Sequence, residues 1–96
     1  LTELKATIQK EYKAEIIYQD AKGATSKRVV WPILIGMFGQ HNILVAWCEA
    51  RSDYRNFQLD RIHSFSQLES KYERSRHVLL TEWEAIEGIE YKRLLY

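Results

Sequence analysis

Five short extended segments lie between residues 14 and 62, and the residues that separate them leave no room for a helix. The segments are 14–19, 26–31, 33–35, 43–48 and 54–62. Parallel strands need a crossover of a dozen or more residues, whereas antiparallel strands can be joined by tight turns. The spacing therefore predicts an antiparallel sheet. Because open edges are costly, we expect residues 14–62 to form a strongly bent, closed β-barrel.

The segment 43–48 constrains the core most strongly, because every one of its residues is apolar. A strand that is apolar on both faces is typical of a central position with cover on both sides. We expect Leu44, Val45 and Trp47 to be buried, together with Leu59 from the last segment. Cys48, the only cysteine, fits a small buried hydrophobic residue better than a nucleophile.

Turn residues set the limits of two other segments. Gly23 ends the sequence Asp-Ala-Lys-Gly and can adopt a positive φ at a turn. Pro32 follows the segment that begins at Ser26, and proline lacks the N–H that a central strand donates. We therefore expect Pro32 to end this strand or to place it at an edge.

Two helices are expected outside the strands. Leu1, Leu4, Ile8 and Tyr12 form one helical stripe, which predicts an amphipathic helix over 1–12. A C-terminal helical segment is expected over 67–88, with its main helix at 75–87 and Gly88 after its end. The acidic residues of this segment are expected to form a solvated face; they are Glu82, Glu84, Glu87 and Glu90.

The composition limits which classes of function are open to this chain. A chain of 96 residues with 46% hydrophobic residues can form a single small core. No apolar run approaches the roughly 18 residues of a membrane span, and a single cysteine favours a reducing, cytoplasmic compartment. The formal net charge is only +1, so anion binding requires a local cluster.

No enzyme, metal or cofactor motif is present in the sequence. It contains no GxSxG, phosphate-binding GK[ST] or HExxH motif, and it has no cysteine pair for zinc. The three histidines are scattered at 41, 63 and 77. We therefore expect a protein that is not an enzyme and that uses no cofactor.

The segment 51–62 is the most informative for function, because it alternates arginines with aromatic residues. Its candidate binding residues are Arg51, Tyr54, Arg55, Phe57 and Arg61. Guanidinium groups match phosphate or carboxylate geometry, and aromatic rings can stack a base. Alternatively, the arginines pair with Glu49, Asp53 or Asp60 and only close the strand ends. A second basic group, Ser26-Lys27-Arg28, precedes the strand that ends near Pro32.

The chain resembles the WYL domain of bacterial transcriptional regulators over almost its whole length. Residues 28–34 resemble the family's Arg-x-Val-x-Pro-Leu-Leu strand, and 17–23 resembles its first hairpin. The most specific match is the run 46–62, Ala-Trp-Cys-Glu-Ala-Arg-Ser-Asp-Tyr-Arg-Asn-Phe-Gln-Leu-Asp-Arg-Ile. The Trp-Tyr-Leu triplet that names the family aligns with 42–44, where only Leu44 is retained.

The resemblance implies a five-stranded, Sm-like or SH3-like barrel, mainly β, with a helix at each end, in one domain over 1–96. It also implies an effector-sensing domain that binds a small anionic effector, a nucleotide or single-stranded nucleic acid. The implied ligand residues are Arg28, Arg51, Tyr54, Arg55, Phe57 and Arg61. Family members usually read DNA through an N-terminal helix-turn-helix domain, which this sequence lacks. The alternatives are a stand-alone nucleic-acid-binding module and a dimerisation module with structural arginines.

Overall fold

The computed structural model describes residues 2–87, so Gly88 and Glu90 lie outside the described residues. Its elements are α1 (Thr2–Lys10), β1 (Tyr12–Gln19), β2 (Thr25–Phe38), β3 (His41–Cys48), β4 (Asp53–Gln58), a 3₁₀ turn (Leu59–Arg61), β5 (Ile62–Lys71) and α2 (Arg76–Glu87). The five strands form one sheet in the order β4-β3-β2-β1-β5, and every neighbouring pair is antiparallel. The antiparallel, mainly β architecture with two helices is confirmed. Gly23 has the expected positive φ of 89°.

The expectation that Pro32 ends or edges a strand is wrong. The segments 26–31 and 33–35 belong to a single strand, β2, which lies in the middle of the sheet and continues through the proline. Pro32 pairs with Ala46 and Leu34 pairs with Val45, so Ile33 is an extra residue in a β-bulge. A bulge interrupts the ladder locally, which lets the strand accommodate a residue that has no N–H.

The C-terminal boundary of the sheet also differs from the expectation. The predicted strand 54–62 stops at Gln58, and the next strand, β5, extends to Lys71 through residues that were expected to be helical. The β1–β5 ladder has two register shifts. One of them places Ile62 and Phe65, three residues apart, against the same core. This spacing resembles that of a helix, which is why alternation alone does not reveal β5.

The sheet has a hydrophobic core on each face. Leu4 and Ile8 of α1 cover the first core, together with Ile16, Val30 and Phe57 from the strands; we call this side the α1 face. Leu79, Leu80 and Trp83 of α2 cover the second core, together with Trp31 and Val45; we call this side the α2 face. The bulge in β2 directs Ile33 and Leu34 to the α2 face and returns Ile35 to the α1 face.

The expected central strand is confirmed, with two exceptions among the core residues. Leu44 lies in the core of the α1 face and Val45 in that of the α2 face, and Cys48 is buried. Trp47 and Leu59 are only half-buried and pack against the edges of the two cores. Leu59 is less buried because it begins the 3₁₀ turn instead of continuing a strand.

The sheet is strongly bent. β4 and β1 are three strand positions apart, which would be about 14 Å in a flat sheet. Nevertheless, the rings of Tyr18 and Phe57 meet edge to face with centroids 4.9 Å apart. The Gln58 backbone N–H also donates to the Tyr18 hydroxyl at 3.2 Å. No ladder joins β4 to β5 within residues 2–87, so a closed barrel is not confirmed.

Replacing Leu44 by alanine should lower the free energy of unfolding by about 2–5 kcal/mol, because the buried side chain would leave a cavity in the α1-face core. Urea unfolding followed by circular dichroism measures this change. Met37, which is 62% exposed in β2, provides the control, and Met37→Ala should change the value by less than about 0.5 kcal/mol. Equal effects of the two substitutions would contradict the core assignment.

Candidate anion-binding site

Arg28 is the most firmly held of the predicted ligand residues. Its Nε donates to the Ser26 Oγ at 3.1 Å, and its Nη1 donates to the Cys48 Sγ at 3.8 Å. The guanidinium carbon lies 6.0 Å from the centre of the Phe57 ring, within the range of a cation–π contact. The two hydrogen bonds use only part of the donor set, because a guanidinium carries five N–H groups. Arg28 is therefore oriented and still has donors to offer.

Arg55 and Arg51 lie near this group. Arg55 is exposed in β4 and pairs with Ala46, which packs on the α1 face. Because strand residues alternate between faces, Arg55 shares the α1 face with Phe57, two residues away. Arg51 is exposed in the turn between β3 and β4, where its backbone N–H donates to the Cys48 carbonyl at 3.2 Å. Arg28 thus contacts Cys48 and Phe57 directly, Arg55 shares their face, and Arg51 lies next to Cys48 through its backbone.

Arg61 occupies a different position, at the end of the 3₁₀ turn that links β4 to β5. It lies between Leu59 and Ile62, which line a groove of about 590 Å³ between α1 and β5. Leu4 and Phe65 complete the apolar lining of this groove. None of the six predicted ligand residues lines it.

The arginines are not neutralised by the acids of the same segment. Within residues 2–87, the side chains of Arg51, Arg55 and Arg61 form no ion pair or hydrogen bond. The Glu49 carboxylate is occupied elsewhere, because it accepts from the Trp31 indole at 2.8 Å and contacts Lys13 at 3.1 Å. In the alternative interpretation, these arginines pair with nearby acids and only close the strand ends. No ion pair in the described part of the chain supports it.

Tyr54 is separated from the other predicted ligand residues, because it packs on the α2 face. Its hydroxyl donates to Glu82 of α2 at 2.6 Å, and Arg74 contacts the other oxygen of Glu82 at 3.1 Å. These contacts lower the pKa of Glu82, mainly through the hydrogen bond from Tyr54 and then through Arg74. Burial, with a smaller effect from Glu82, raises the pKa of Tyr54. The Glu82 side chain is 40% exposed, in agreement with a solvated face, but it also links α2 to β4 through Tyr54.

Phe57 is only 2% exposed, so its ring lacks a free face on which a base could stack. Its role in this site is to support Arg28 on one side and Tyr18 on another. Sequence reasoning missed Tyr18 as a member of the site, and it named Ser26 only as part of a basic group with Arg28. They lie opposite each other on β1 and β2, next to the pair Ile16 and Arg28. The sequence offers one signal for this: Tyr18 lies two residues from Ile16 and Ser26 lies two residues from Arg28, and residues two apart in a strand point to the same face.

Within residues 2–87, no helix is long and apolar enough to cross a membrane. The same residues contain no group of three or more His, Cys, Asp or Glu side chains that could hold a metal ion. On the α1 face near Cys48, the structure places Arg28 and Arg55 together with one acid, Asp53, which pairs with Cys48 in the β3–β4 ladder.

The fold and this surface define a small antiparallel β domain, covered by two helices and carrying arginines without acidic partners on its α1 face. The family model of the WYL domain matches residues 1–67. The chain therefore belongs to the WYL domain family. No curated protein matches this chain.

A solved structure with a similar fold is proteasome accessory factor B/C (PafBC) of Arthrobacter aurescens. The TM-score is 0.71 at 18% sequence identity, and the alignment covers 94% of this chain. At this identity the similarity shows the fold alone. This chain spans only 13% of the length of the PafBC chain.

Replacing Tyr54 by phenylalanine should make stability less dependent on acid pH. The pKa of Glu82 is lowered in the folded state, so its contribution is present above the unfolded-state pKa and is lost as the pH falls through the folded-state value. The loss is thus expected below the ordinary glutamate pKa of about 4.3. Without the Tyr54 hydroxyl, the largest cause of the shift disappears and this loss becomes smaller.

Urea unfolding at several pH values between about 3 and 6 measures this difference. Glu87→Gln, at an exposed position in the same helix, is the control and should leave the pH dependence close to that of the parent. A Tyr54→Phe protein whose stability falls with acid as steeply as that of the parent would contradict the assigned role of this hydrogen bond.

Proposed function

We propose that this WYL domain is the effector-sensing regulatory domain of a bacterial transcriptional regulator. The effector is a phosphate-bearing ligand, either a nucleotide or single-stranded nucleic acid. The observation that carries the proposal is the set of arginines without acidic partners near Cys48 and Phe57, one of which is already oriented. Several cations in one region create a local positive potential, which favours the binding of an anion there.

The guanidinium group favours phosphate as the ligand group. Its planar fork forms two parallel N–H···O bonds with a phosphate, and these charge-assisted bonds are stronger than neutral ones. Arg28 is held by Ser26, Cys48 and Phe57, so binding costs it little conformational entropy. Arg55 and Arg51 are exposed and would close around the ligand from β4 and from the turn before it.

The other predicted ligand residues act less directly in this proposal. Phe57 supports the Arg28 guanidinium from below, because its ring is buried. Tyr54 holds β4, the strand that carries Arg55, against α2 through Glu82. Arg61 lies at the corner between β4 and β5 and contributes to an extended ligand such as an oligonucleotide.

The domain works without catalysis and without a cofactor in this proposal, in a regulator located in the cytoplasm. A helix-turn-helix domain of the same regulator contacts the promoter DNA. Ligand binding at the arginines shifts the regulator between two states by its differential affinity for them. A homodimer of regulators is compatible with this arrangement.

Arg55→Ala should weaken the binding of a fluorescent single-stranded DNA oligonucleotide of about 10 nucleotides by about 1.5–3 kcal/mol, the range for hydrogen bonds to charged groups. Fluorescence anisotropy measures the affinity. Arg55→Lys should also weaken binding, because an ammonium group cannot reproduce the guanidinium fork. The free energy of unfolding should change by less than about 0.5 kcal/mol, since Arg55 is exposed and forms no ion pair within residues 2–87.

The matched control is Lys27→Ala, which removes a positive charge next to Arg28 but from the opposite face of β2. It should bind the oligonucleotide almost as tightly as the parent. Competition by a nucleoside monophosphate distinguishes the two sources of phosphate: displacement at low concentration indicates a nucleotide effector, and its absence indicates a nucleic acid. A parent domain that binds neither probe, or an equal loss in Lys27→Ala and Arg55→Ala, would contradict the proposed function.

A further inference from the structure

Tyr18 shares its supporting ring with Arg28. The Tyr18 ring meets Phe57 edge to face at 4.9 Å, and the Arg28 guanidinium lies 6.0 Å from the centre of the same Phe57 ring. Tyr18 also lies opposite Ser26 in the β1–β2 ladder, and Ser26 is the residue that holds the Arg28 Nε. Tyr18 and Arg28 therefore lie on the same face of the sheet and contact the same ring.

The Tyr18 hydroxyl has a donor that the described protein does not use. Its oxygen accepts a hydrogen bond from the Gln58 backbone N–H at 3.2 Å. Within residues 2–87, no acceptor takes its proton, although the side chain is half-buried. A phenol can donate and accept at the same time, and polar groups removed from water generally find a partner. The unused proton lies on the face that also carries Arg28, so it is suited to an acceptor oxygen that arrives with an anionic ligand.

We infer that Tyr18 is a ligand-binding residue, which donates its phenolic proton to the phosphate group that Arg28 binds. This inference rests on the proposed function and adds a neutral donor to a site that is otherwise cationic. The ligand group must then present two acceptor oxygens on one centre, one to the guanidinium and one to the phenol, as a phosphate does. Phe57 and the Gln58 N–H hold the phenol in place, so Tyr18 loses little freedom when it binds.

The test compares Tyr18→Phe with Tyr12→Phe by anisotropy, with the same oligonucleotide of about 10 nucleotides. Tyr12 lies on β1 as well, and its hydroxyl forms no hydrogen bond within residues 2–87. Tyr18→Phe should weaken binding about ten- to hundredfold, as expected for the loss of one hydrogen bond to a charged group. Tyr12→Phe should bind like the parent.

Salt dependence separates a direct contact from an indirect one. Each phosphate neutralised by a cation contributes about −0.7 to the slope of log affinity against log salt for a single strand. Arg28→Ala should therefore make the slope less steep by about this amount, whereas Tyr18→Phe should lower affinity and leave the slope unchanged, because the phenol carries no charge.

The outcomes distinguish the inference from the proposed function. If the parent does not bind the oligonucleotide or a nucleoside monophosphate, the proposed function itself fails. If Arg28→Ala weakens binding and Tyr18→Phe does not, the site is retained and the role of Tyr18 is wrong. If Tyr18→Phe makes the slope less steep, Tyr18 only positions Arg28, which also overturns the inference.

Discussion

The bend in β2 is the constraint on which the rest of the structure depends. Residues 25–30 of this strand pair with β1, and residues 30–38 pair with β3, so one strand belongs to both halves of the sheet. The bulge at Ile33 shifts the register of the β2–β3 ladder. Backbone carbonyls at the bulge accept hydrogen bonds from side chains outside the sheet. The Tyr72 hydroxyl donates to the Pro32 carbonyl, and the Arg76 Nε donates to that of Ile33 at 2.8 Å, which fixes the start of α2.

The candidate site is a consequence of this bend. In a flat sheet, a ring on β4 could not meet a ring on β1, because the strands are about 4.8 Å apart and two others would intervene. In the bent sheet, Phe57 contacts both Tyr18 and Arg28. The opposite face of β4 is held by α2 through Tyr54 and Glu82. The strand that carries Arg55 is thus fixed on one face and open to a ligand on the other.

Sequence reasoning predicted the parts of this structure that depend on local pattern. An uninterrupted apolar run predicted β3 as a central strand, and a helical stripe predicted α1, because both signals come from burial. The alternation of apolar and polar residues gave wrong predictions at Pro32 and in β5. Bulges there change the face to which the next residues point, and the residue types give no sign of this change. The arginines were visible as a cluster of charge. Tyr18 was not, because its place in the site depends on a contact with Phe57, 39 positions away in the sequence.

The most direct test of the account is to locate the bound ligand by ¹H–¹⁵N NMR, with inorganic pyrophosphate titrated into the ¹⁵N-labelled domain. If the bend in the sheet creates the anion site, the largest shifts should occur at the backbone of 26–28, 48–52 and 55–58 and at the Nε–H of Arg28, with small shifts in α2. Large shifts confined to α2, or no saturable shifts around Arg28, would contradict the claim that this bent α1 face binds an anion.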